Sequence, residues 1–425
     1  METDLLIIGG GAAGTVAALL LADAGKRCVI LEKNGQIGRK LRITGKGRCN
    51  LTNACDLDTL LANVPRNPKF LYSAFTRCMP QDVMQFFELL GVPLKIERGN
   101  RVFPISDKAE DIVAALQRAL KQAKVPVYRE TVTKLLLTDG NCNGVQTASG
   151  KQYFAKQVLL ATGGASYPAT GSTGDGYALA KQAGHTIVPP KPALVPLEVQ
   201  EKWCAELMGL SLRNVSLRLY NGKKCLYEAL GEMLFTHFGV SGPLVLTASS
   251  LLPDAIPKDS SCQLVLNLKP GLTPEQLDRR IQRDCAAHPN QAMGTIFRGL
   301  LPLKLVPVFL ETVSVPPETK ANALTREQRF TLVKGLQAFP LHITARRSLK
   351  EAIVTRGGVS VKEVQAKTMA SKLCSGLYFA GELLDVDAYT GGFNLQIAFS
   401  TASCVADAIQ ATETCFVPSS AYHAE

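Results

Sequence analysis

A glycine-rich turn close to the N-terminus constrains this chain more than any other feature. The apolar run Leu5-Leu6-Ile7-Ile8 leads directly into Gly9-Gly10-Gly11-Ala12-Ala13-Gly14, which has the spacing G-x-G-x-x-G. Between a strand and a helix, the first glycine of this motif permits a tight turn, the second lets backbone approach a pyrophosphate, and the third lets helix and strand pack closely. The helix N-terminus then offers N–H groups and a positive dipole to the phosphates.

The sequence that follows the turn supports a dinucleotide-binding unit. An alanine-rich stretch from Ala12 to Ala24 predicts a helix, and the next apolar run, Cys28-Val29-Ile30-Leu31, ends at Glu32. An acidic side chain about 20 residues after the glycines can accept hydrogen bonds from a ribose. The alternative is a βαβ turn with a structural role only. The predicted cofactor contacts in this unit are Gly9, Gly11, Ala12, Ala13, Gly14, Glu32 and Lys33.

The composition is that of a globular protein with more than one domain. The chain has 425 residues, which exceeds one typical hydrophobic core. No apolar stretch reaches the ~18 residues that a membrane span needs, and no basic segment precedes the first apolar run, so we expect a cytoplasmic protein without a membrane partner. Its 12 cysteines include no C-x-x-C pair, and no metal site is predicted.

The net charge of +11 leaves the chemistry of the partner open. A polyanion such as RNA fits this charge. Solvated faces and the phosphates of a cofactor fit it as well. The basic residues concentrate in Arg39-Lys40-Arg42-Lys46-Arg48, in Arg279-Arg280-Arg283, in the segment 320–334 and in Arg346-Arg347-Lys350.

Three segments predict one doubly wound, Rossmann-like α/β domain. The first is the N-terminal βαβ unit, and the second is the apolar run at 157–160 that ends in Ala161-Thr162-Gly163-Gly164. The third is the apolar run at 376–380, which leads into Gly381-Glu382 and is followed by a predicted helix from Gly392 to about Ala408. We therefore assign residues 1–190 and 351–415 to this domain.

The segment between the second and third of these runs predicts an insertion with two patterns. Short alternating apolar runs over 191–270 and 339–350 predict a β-rich, barrel-like subdomain. Residues 271–338 predict a small helical subdomain. Within it, Thr273-Pro274-Glu275-Gln276 is typical of an N-cap followed by proline at the first helical position, and Thr325-Arg326-Glu327-Gln328 is typical of a capping box.

Three longer motifs resemble those of a known flavoprotein family. Together with the N-terminal turn, they resemble the two-dinucleotide-binding-domain flavoproteins and, more narrowly, the BaiN/RdsA-type (aminoacetone oxidase) family of FAD-dependent oxidoreductases. The resemblance covers nearly the whole chain, with one departure at Lys46, where the family usually has glycine. The motifs are Gly38-Arg39-Lys40-Leu41 with Thr44-Gly45-Lys46-Gly47-Arg48-Cys49-Asn50-Leu51-Thr52-Asn53, then Leu234-Phe235-Thr236-His237-Phe238-Gly239-Val240-Ser241-Gly242-Pro243, and Gly381-Glu382-Leu383-Leu384-Asp385-Val386-Asp387 with Thr390-Gly391-Gly392-Phe393-Asn394-Leu395-Gln396.

The resemblance implies that the dinucleotide is FAD. The basic loop would wrap the pyrophosphate and the isoalloxazine, and an acidic residue after Gly381 would bond the ribityl chain or the pyrophosphate. The helix near Gly392 would point its N-terminus at the flavin edge where negative charge develops on reduction. The alternatives are an ordinary basic surface loop and a plain strand–turn–helix. The further cofactor contacts implied are Arg39, Lys40, Gly47, Arg48, Asn50, Thr52, Ala161, Thr162, Gly163, Gly381, Glu382, Asp387, Gly392, Phe393 and Asn394.

Two other features of the sequence bear on the cofactors. The loop Thr170-Gly171-Ser172-Thr173-Gly174-Asp175-Gly176 is either a second phosphate contact or a mobile connector. No second G-x-G-x-x-G occurs, so we expect no dedicated NAD(P)H domain, and NAD(P)H stays a candidate reductant only.

Two residues are candidate proton donors. Cys49 lies in the basic loop, where Arg48 and local N–H groups would lower the pKa of its thiol. The alternative for Cys49 is a small residue packed under the flavin. His237 lies in the turn Thr236-His237-Phe238-Gly239, from which a histidine can orient a substrate or donate a proton. The alternative for His237 is a side chain that bonds backbone carbonyls and fixes the turn.

Three functions are compatible with these motifs. The leading one, which the resemblance offers and the charge favours, is reduction of uridine to dihydrouridine in 23S ribosomal RNA. The second is oxidation or reduction of a small molecule, such as a steroid or bile-acid enone or an amine. The third is a flavin-bearing RNA-binding factor without turnover. The sequence names neither the substrate, nor the reductant, nor the oligomeric state.

Overall fold

The chain folds into two compact units. The computed structural model describes residues 3–256 and 261–414. The sheet unit comprises the chain up to Ala193 and from Ala352 onward, and the barrel unit comprises Leu194–Glu351. The Rossmann-type fold class predicted from the sequence is confirmed, including the barrel in the insertion.

The strands of the sheet unit form one large sheet and two small ones. They are β1 (Thr3–Ile8), β2 (Cys28–Glu32), β3 (Thr52–Asn53), β4 (Leu94–Glu97), β5 (Arg101–Pro104), β6 (Val127–Arg129), β7 (Val132–Thr138), β8 (Asn141–Thr147), β9 (Gln152–Leu160), β10 (Ile187–Ala193), β17 (Val354–Val359) and β18 (Leu377–Phe379). The large sheet has the order β6-β2-β1-β9-β8-β7, and β18 also pairs with β9. The small sheets are β3-β5-β4 and β10-β17.

The parallel part of the large sheet brings the predicted motifs to one edge. β1 lies between β2 and β9 and is parallel to both, and β18 is parallel to β9. Leu5 and Ile7 are 0% exposed and Leu6 is 1% exposed, because strands of this kind are covered on both faces. The carboxyl ends of parallel strands meet at one edge, which therefore carries the glycine turn, Glu32 and the residues that follow β9 and β18.

The helices of the sheet unit are α1 (Ala12–Asp23), α2 (Arg39–Ile43), α3 (Leu57–Ala62), α4 (Pro68–Arg77), α5 (Pro80–Leu89), α6 (Ala109–Gln122), α7 (Asp175–Gln182) and α13 (Phe393–Thr414). The predicted helix near Gly392 is present as α13. It extends beyond Ala408, where the sequence pattern placed its end.

The barrel unit is a closed antiparallel barrel with helices packed against it. Its strands are β11 (Leu197–Val199), β12 (Ser211–Asn221), β13 (Lys224–Thr236), β14 (Gly239–Ser241), β15 (Cys262–Asn267) and β16 (Phe339–Arg346), joined in the order β11-β14-β13-β12-β15-β16. Pairing of β11 with β16 closes the ring. Inward side chains alternate along the strands, as Leu217 and Leu219 on β12 and Leu264 and Leu266 on β15 show, each 0% exposed.

The helices of the barrel unit are α8 (Pro243–Ser249), α9 (Pro274–Ala287), α10 (Met293–Ile296), α11 (Leu305–Thr312) and α12 (Arg326–Gln337). Two of them, α9 and α12, begin where the sequence predicted a helix start. The side chains of Thr273 and Thr325 accept hydrogen bonds from the third residue of α9 and of α12, which confirms both N-caps. The ring centroids of Phe309 on α11 and Phe339 on β16 are 5.8 Å apart, so the helical segment and the barrel share one core.

The boundaries between the units lie slightly beyond the predicted ones. The sequence places them at 190/191 and 350/351, and the structure divides the chain at 193/194 and 351/352. The first shift arises because β10 pairs with β17 as far as Ala193, which lies opposite Val354. Within the ranges 3–256 and 261–414, no helix is long and apolar enough to cross a membrane.

Candidate functional site

Two of the three motif glycines are required by the packing of the protein itself. Gly9 has a φ of +108°, and a Cβ there would lie 2.5 Å from the carbonyl oxygen of Ala161. A Cβ on Gly14 would lie 2.1 Å from the carbonyl oxygen of Gly9. Gly11 differs, because no described atom lies within 4 Å of its Cβ position and its φ of −86° suits any residue. The packing of this unit therefore leaves Gly11 unexplained.

The carboxylate of Glu32 is held in place at the end of β2. It is 9% exposed and accepts hydrogen bonds of 2.8 Å from the N–H groups of Gly10 and Asn34. The side-chain amide of Asn34 donates a third bond of 2.7 Å and in turn accepts one of 2.8 Å from Arg39. Sequence reasoning missed Asn34, although it lies only two residues beyond the predicted acid.

The loop at 170–176, which the sequence predicts to be either a phosphate contact or a mobile connector, packs against the end of β2. Lys33 forms an ion pair with Asp175 and a hydrogen bond with Thr173. A Cβ on Gly171, whose φ is +108°, would lie 2.3 Å from the side-chain nitrogen of Asn34. These contacts join the loop to the strand on which Glu32 lies, so they favour a fixed element over a mobile connector.

The ion pair of Lys40 and Glu382 joins distant parts of the sheet unit. The ammonium group of Lys40 lies 2.7 Å from Glu382 and 2.7 Å from the hydroxyl of Ser166. Glu382 also accepts bonds from the Ser166 hydroxyl at 2.9 Å and from the Thr355 N–H at 2.8 Å. Lys40 and Glu382, both predicted to bind cofactor, therefore neutralise each other. Ser166 and Thr355 carry no recognisable motif and were missed.

The basic loop has an unusual backbone. Gly45, Lys46, Gly47 and Cys49 have φ values of +57°, +60°, +82° and +59°. For the two residues that carry a Cβ, this conformation costs about 1–3 kcal/mol each. Lys46 thus has the left-handed conformation that favours glycine, and its side chain is exposed.

The guanidinium of Arg48 bonds carboxylates of the protein. Its Nε donates to Asp107 at 2.8 Å, and its terminal nitrogens pair with Glu97 and Asp107. Its carbon Cζ lies 4.1 Å from the ring centroid of Phe103. The charge of Arg48 is therefore engaged beside the small β3-β5-β4 sheet.

The structure contradicts the expected lowering of the Cys49 pKa. Cys49 is 0% exposed, and burial raises the pKa of its thiol to about 11, against the opposing effect of a hydrogen bond with Thr44. Arg48 does not offset this rise, because it pairs with Glu97 and Asp107. A fully buried neutral thiol agrees with the alternative of a small packed residue.

The start of α13 packs on the end of the basic loop. Gly392 has a φ of +102°, and a Cβ there would lie 2.3 Å from the carbonyl oxygen of Thr52. The Thr52 hydroxyl bonds the side chain of Gln396. The amide of Asn394 closes the preceding turn by donating to the Ala388 carbonyl at 2.8 Å and accepting from the Ala388 N–H at 2.9 Å. Phe393, beside it, is 4% exposed.

Two carboxylates after β18 are buried with unsatisfied oxygens. Asp385 and Asp387 are 6% and 1% exposed, and Oδ1 of each forms no hydrogen bond with the described residues. Burial raises the pKa of Asp387 to about 6, although the charges of Arg66 and Arg356 oppose the rise. Oδ1 of Asp385 lies 3.7 Å from the guanidinium of Arg66, with which it forms an ion pair. A buried carboxylate oxygen without a hydrogen bond is costly, so Oδ1 of Asp387 fits a bound group that donates a hydrogen bond.

The residues after β9 and β18 complete this edge. The N–H of Ala161 bonds the Ile8 carbonyl at 2.9 Å, and Gly163 has a φ of +74°. The hydroxyl of Thr162 and the side-chain oxygen of Asn50 are buried without a partner among the described residues. Gly381, with a φ of +73°, approaches Ala13 of α1, since its Cβ would lie 3.3 Å from that methyl group.

His237 belongs to the barrel unit. It lies exposed in the turn between β13 and β14, and its ring centroid is 4.9 Å from that of Phe238. The ring of Phe238 also lies 4.5 Å from the guanidinium of Arg347. The turn is therefore an exposed aromatic corner, and no backbone carbonyl is hydrogen-bonded to His237 within the described part of the chain.

The family model described as the HI0933-like protein Rossmann domain matches residues 3–408. The chain belongs to this HI0933-like family of FAD-dependent oxidoreductases. The resemblance inferred from the sequence motifs is thereby confirmed. The chain is therefore an FAD-dependent oxidoreductase rather than a non-catalytic flavin-bearing factor.

Several relatives of this HI0933-like chain match over nearly their whole length. It is 33% identical to the 3-dehydro-bile acid delta(4,6)-reductase of Clostridium scindens over 93% of this chain and 96% of that one. It is 33% identical to the ribosomal RNA dihydrouridine synthase of Haemophilus influenzae over 94% and 96% of the two chains. The corresponding Escherichia coli synthase is 29% identical over 96% and 98%.

Solved structures of low sequence identity share the fold. The 3-ketosteroid delta1-dehydrogenase of Sterolibacterium denitrificans has a TM-score of 0.52 at 14% identity, with 97% of this chain and 100% of that chain covered. Mycobacterium smegmatis Sdh1 has a TM-score of 0.51 at 16% identity, with 98% and 70% covered. At such identities the likeness supports the fold alone.

The residues of the HI0933-like sheet unit can accommodate FAD. The Cβ position of Gly11 faces space that no described atom fills, and α1 begins without a side-chain cap, so its first N–H groups suit a pyrophosphate. The oxygens of Thr162 and Asp387 that form no hydrogen bond with the described residues suit the hydroxyl groups of the same molecule.

Replacing Gly11 separates cofactor binding from folding. We expect Gly11→Val to fold, since neither its φ nor neighbouring atoms oppose a side chain, and to lose FAD, since the branched side chain blocks the pyrophosphate. Absorbance and the FAD released on denaturation measure occupancy, and thermal unfolding measures folding. Gly271→Val, which also has no atom within 4 Å of the Cβ position, should keep full occupancy. Full occupancy in Gly11→Val would contradict the assignment.

The pKa of Asp387 predicts how the stability of the apoprotein depends on pH. Because the pKa of Asp387 is about 6 in the folded state and its ordinary value is 3.8, the folded state keeps a proton that the unfolded state releases. The contribution of Asp387 to the free energy of unfolding therefore falls as pH rises from about 4 to 6, by up to roughly 3 kcal/mol, and levels off above. Asp387→Asn should remove this fall in denaturant titrations of both apoproteins. Parallel pH profiles would show that Asp387 titrates normally.

Proposed function

We propose that this chain uses FAD to reduce a C=C bond conjugated to a carbonyl group, and that its substrate is uridine in large-subunit ribosomal RNA. Two relatives of equal identity support the reaction. Their names describe reduction of an unsaturated 3-oxo bile acid and of uridine, and both reactions add a hydride and a proton across a conjugated C=C bond.

Charge favours RNA over a small molecule. The chain has 47 basic and 36 acidic residues, with a net charge of +11, and this observation carries the choice. Part of the charge is used internally. Arg347 pairs with Glu198 and Glu351, and Arg346 donates to backbone carbonyls such as that of Leu252. The remaining exposed cations give an RNA its electrostatic attraction. The similarity to the bile-acid reductase supports a small enone as the second candidate substrate.

The residues that would hold FAD have distinct tasks. The N–H groups of the first turn of α1 bind the pyrophosphate, and Glu32, oriented by Asn34, accepts from the ribose. Thr162 and Asp387 use their unsatisfied oxygens for other hydroxyl groups. Lys40 acts through Glu382, and Arg48 acts by anchoring the basic loop to Asp107. When bound, FAD supplies the hydride chemistry, and the protein supplies position and electrostatics.

The function is tested on unmodified rRNA. The holoprotein, incubated with an in vitro transcript of large-subunit rRNA and either NADH or NADPH, should convert uridine to dihydrouridine, which mass mapping locates by the gain of two hydrogens. The FAD-free Gly11→Val protein is the control. An unchanged transcript, together with turnover of an unsaturated 3-oxosteroid, would replace RNA by the small-molecule substrate. Oxidation of neither nicotinamide would exclude NAD(P)H as the reductant.

The proton donor is tested by separating the half-reactions. In anaerobic stopped-flow experiments, His237→Ala should reduce flavin normally but reoxidise it with substrate about 10²- to 10⁴-fold more slowly, the usual contribution of a positioned acid. Cys49→Ala should reoxidise flavin at the parent rate, because the thiol is fully buried. A slow Cys49→Ala would restore Cys49 as the donor. Parent rates in both variants would assign the proton to water or to another group.

A further inference from the structure

Three exposed side chains form a line on α12. Arg326, Phe330 and Lys334 are separated by four residues each, so they lie on one face of the helix. Phe330 is 68% exposed, one of the largest values among the hydrophobic residues. Arg326 and Lys334 are exposed as well. Neither cation forms an ion pair or a side-chain hydrogen bond with residues in the ranges 3–256 and 261–414. We call these three residues the α12 stripe.

The helix beneath the stripe is firmly held. Leu332, Val333 and Leu336 of the same helix are buried. Arg329 forms an ion pair with Asp278 of α9, and the capping box at Thr325 fixes the start of the helix. The stripe is therefore presented on a rigid element, and the packing of α12 does not require an aromatic residue at position 330.

The α12 helix and the neighbouring α9 helix together carry six basic and four acidic residues. Glu327 is the acidic neighbour on α12. On α9, Arg279 and Arg283 are exposed, and Arg283 bonds the adjacent Asp284 at 3.3 Å. Arg280 is committed to Asp284 at 2.6 Å. An anionic partner of α12 therefore meets a favourable field.

We propose that the α12 stripe binds single-stranded RNA, with a base stacked on Phe330 and phosphates paired with Arg326 and Lys334. This inference rests on the proposed function, because it requires an RNA substrate. An exposed aromatic ring between cations is the combination that unpaired RNA needs, since bases stack on the ring and phosphates attract the charges. A protein partner would require a contiguous apolar patch, whereas the stripe offers a single apolar side chain.

The stripe is tested by binding of the full-length holoprotein to a fluorescein-labelled single-stranded RNA of mixed sequence, over a series of salt concentrations. Phe330→Ala should weaken binding about 5- to 100-fold by loss of stacking. The double variant Arg326→Ala/Lys334→Ala should weaken it mostly at low salt, and should reduce the slope of log affinity against log salt by about 1.4, or about 0.7 for each phosphate contact. Phe330→Tyr should bind like the parent, and Phe330→Leu like Phe330→Ala.

Matched controls make the same chemical changes elsewhere. Phe154→Ala removes a ring that is 63% exposed on β9. Arg118→Ala/Lys121→Ala removes two exposed cations from α6. Both should bind RNA like the parent. FAD content and thermal unfolding should match the parent in every variant. If Phe330→Ala folds poorly, Phe330→Leu, which keeps an apolar side chain but removes the ring, tests the loss of stacking, and Phe330→Tyr is its conservative control.

The outcomes separate this surface from the proposed function. If the parent binds and modifies RNA while the stripe variants bind as tightly as the parent, the α12 stripe is not the RNA-binding surface. The proposed function is then unaffected. An equal loss of affinity in the Arg118/Lys121 control would reduce the effect to overall charge and overturn the stripe. If the parent binds no RNA at any salt concentration, both fail. Stripe-dependent binding to anionic phospholipid vesicles without RNA binding would assign the face to a membrane surface instead.

Discussion

The rest of the structure depends on close backbone contact at one edge of the parallel sheet. Gly9 lies against the Ala161 carbonyl, and Gly14 lies against the Gly9 carbonyl, at distances that exclude any Cβ atom. Gly381 packs against the methyl group of Ala13, which would lie 3.3 Å from a Cβ on the glycine. These contacts set the start of α1 between the ends of β9 and β18. The N–H groups, Glu32 and the buried acids share one edge because the parallel strands that carry them end there.

Charged side chains also stabilise this edge of the sheet. Lys40 and Glu382 neutralise each other through contacts that also hold Ser166 and Thr355. Asp387, by contrast, keeps an oxygen without a hydrogen bond among the described residues, and its burial raises its pKa. The site therefore contains fully satisfied charges that give it rigidity, together with a few unsatisfied oxygens available to a cofactor.

The sequence predicted the features that depend on neighbouring residues, but it did not predict which side chains pair over long distances along the chain. Glycine spacing, the alternation of the barrel strands and the caps at Thr273 and Thr325 depend on neighbours within a few residues, so a single sequence carries them. Arg48 shows the opposite case. Its position beside Cys49 suggested a lowered thiol pKa, but its partners Glu97 and Asp107 lie 49 and 59 residues away along the chain. Which acid a long side chain reaches depends on the tertiary structure.

The ends of the inserted segment are close together on both sides of the connection. In the sheet unit, Ala193 lies opposite Val354 in an antiparallel pair, and in the barrel unit Leu197 lies opposite Arg346. An insertion whose two ends meet can be exchanged as a cassette, because a short linker suffices to close the parent fold. Evolution can thus replace the barrel and its helices without redesigning the nucleotide site, which offers one route by which a common redox scaffold acquires very different substrates.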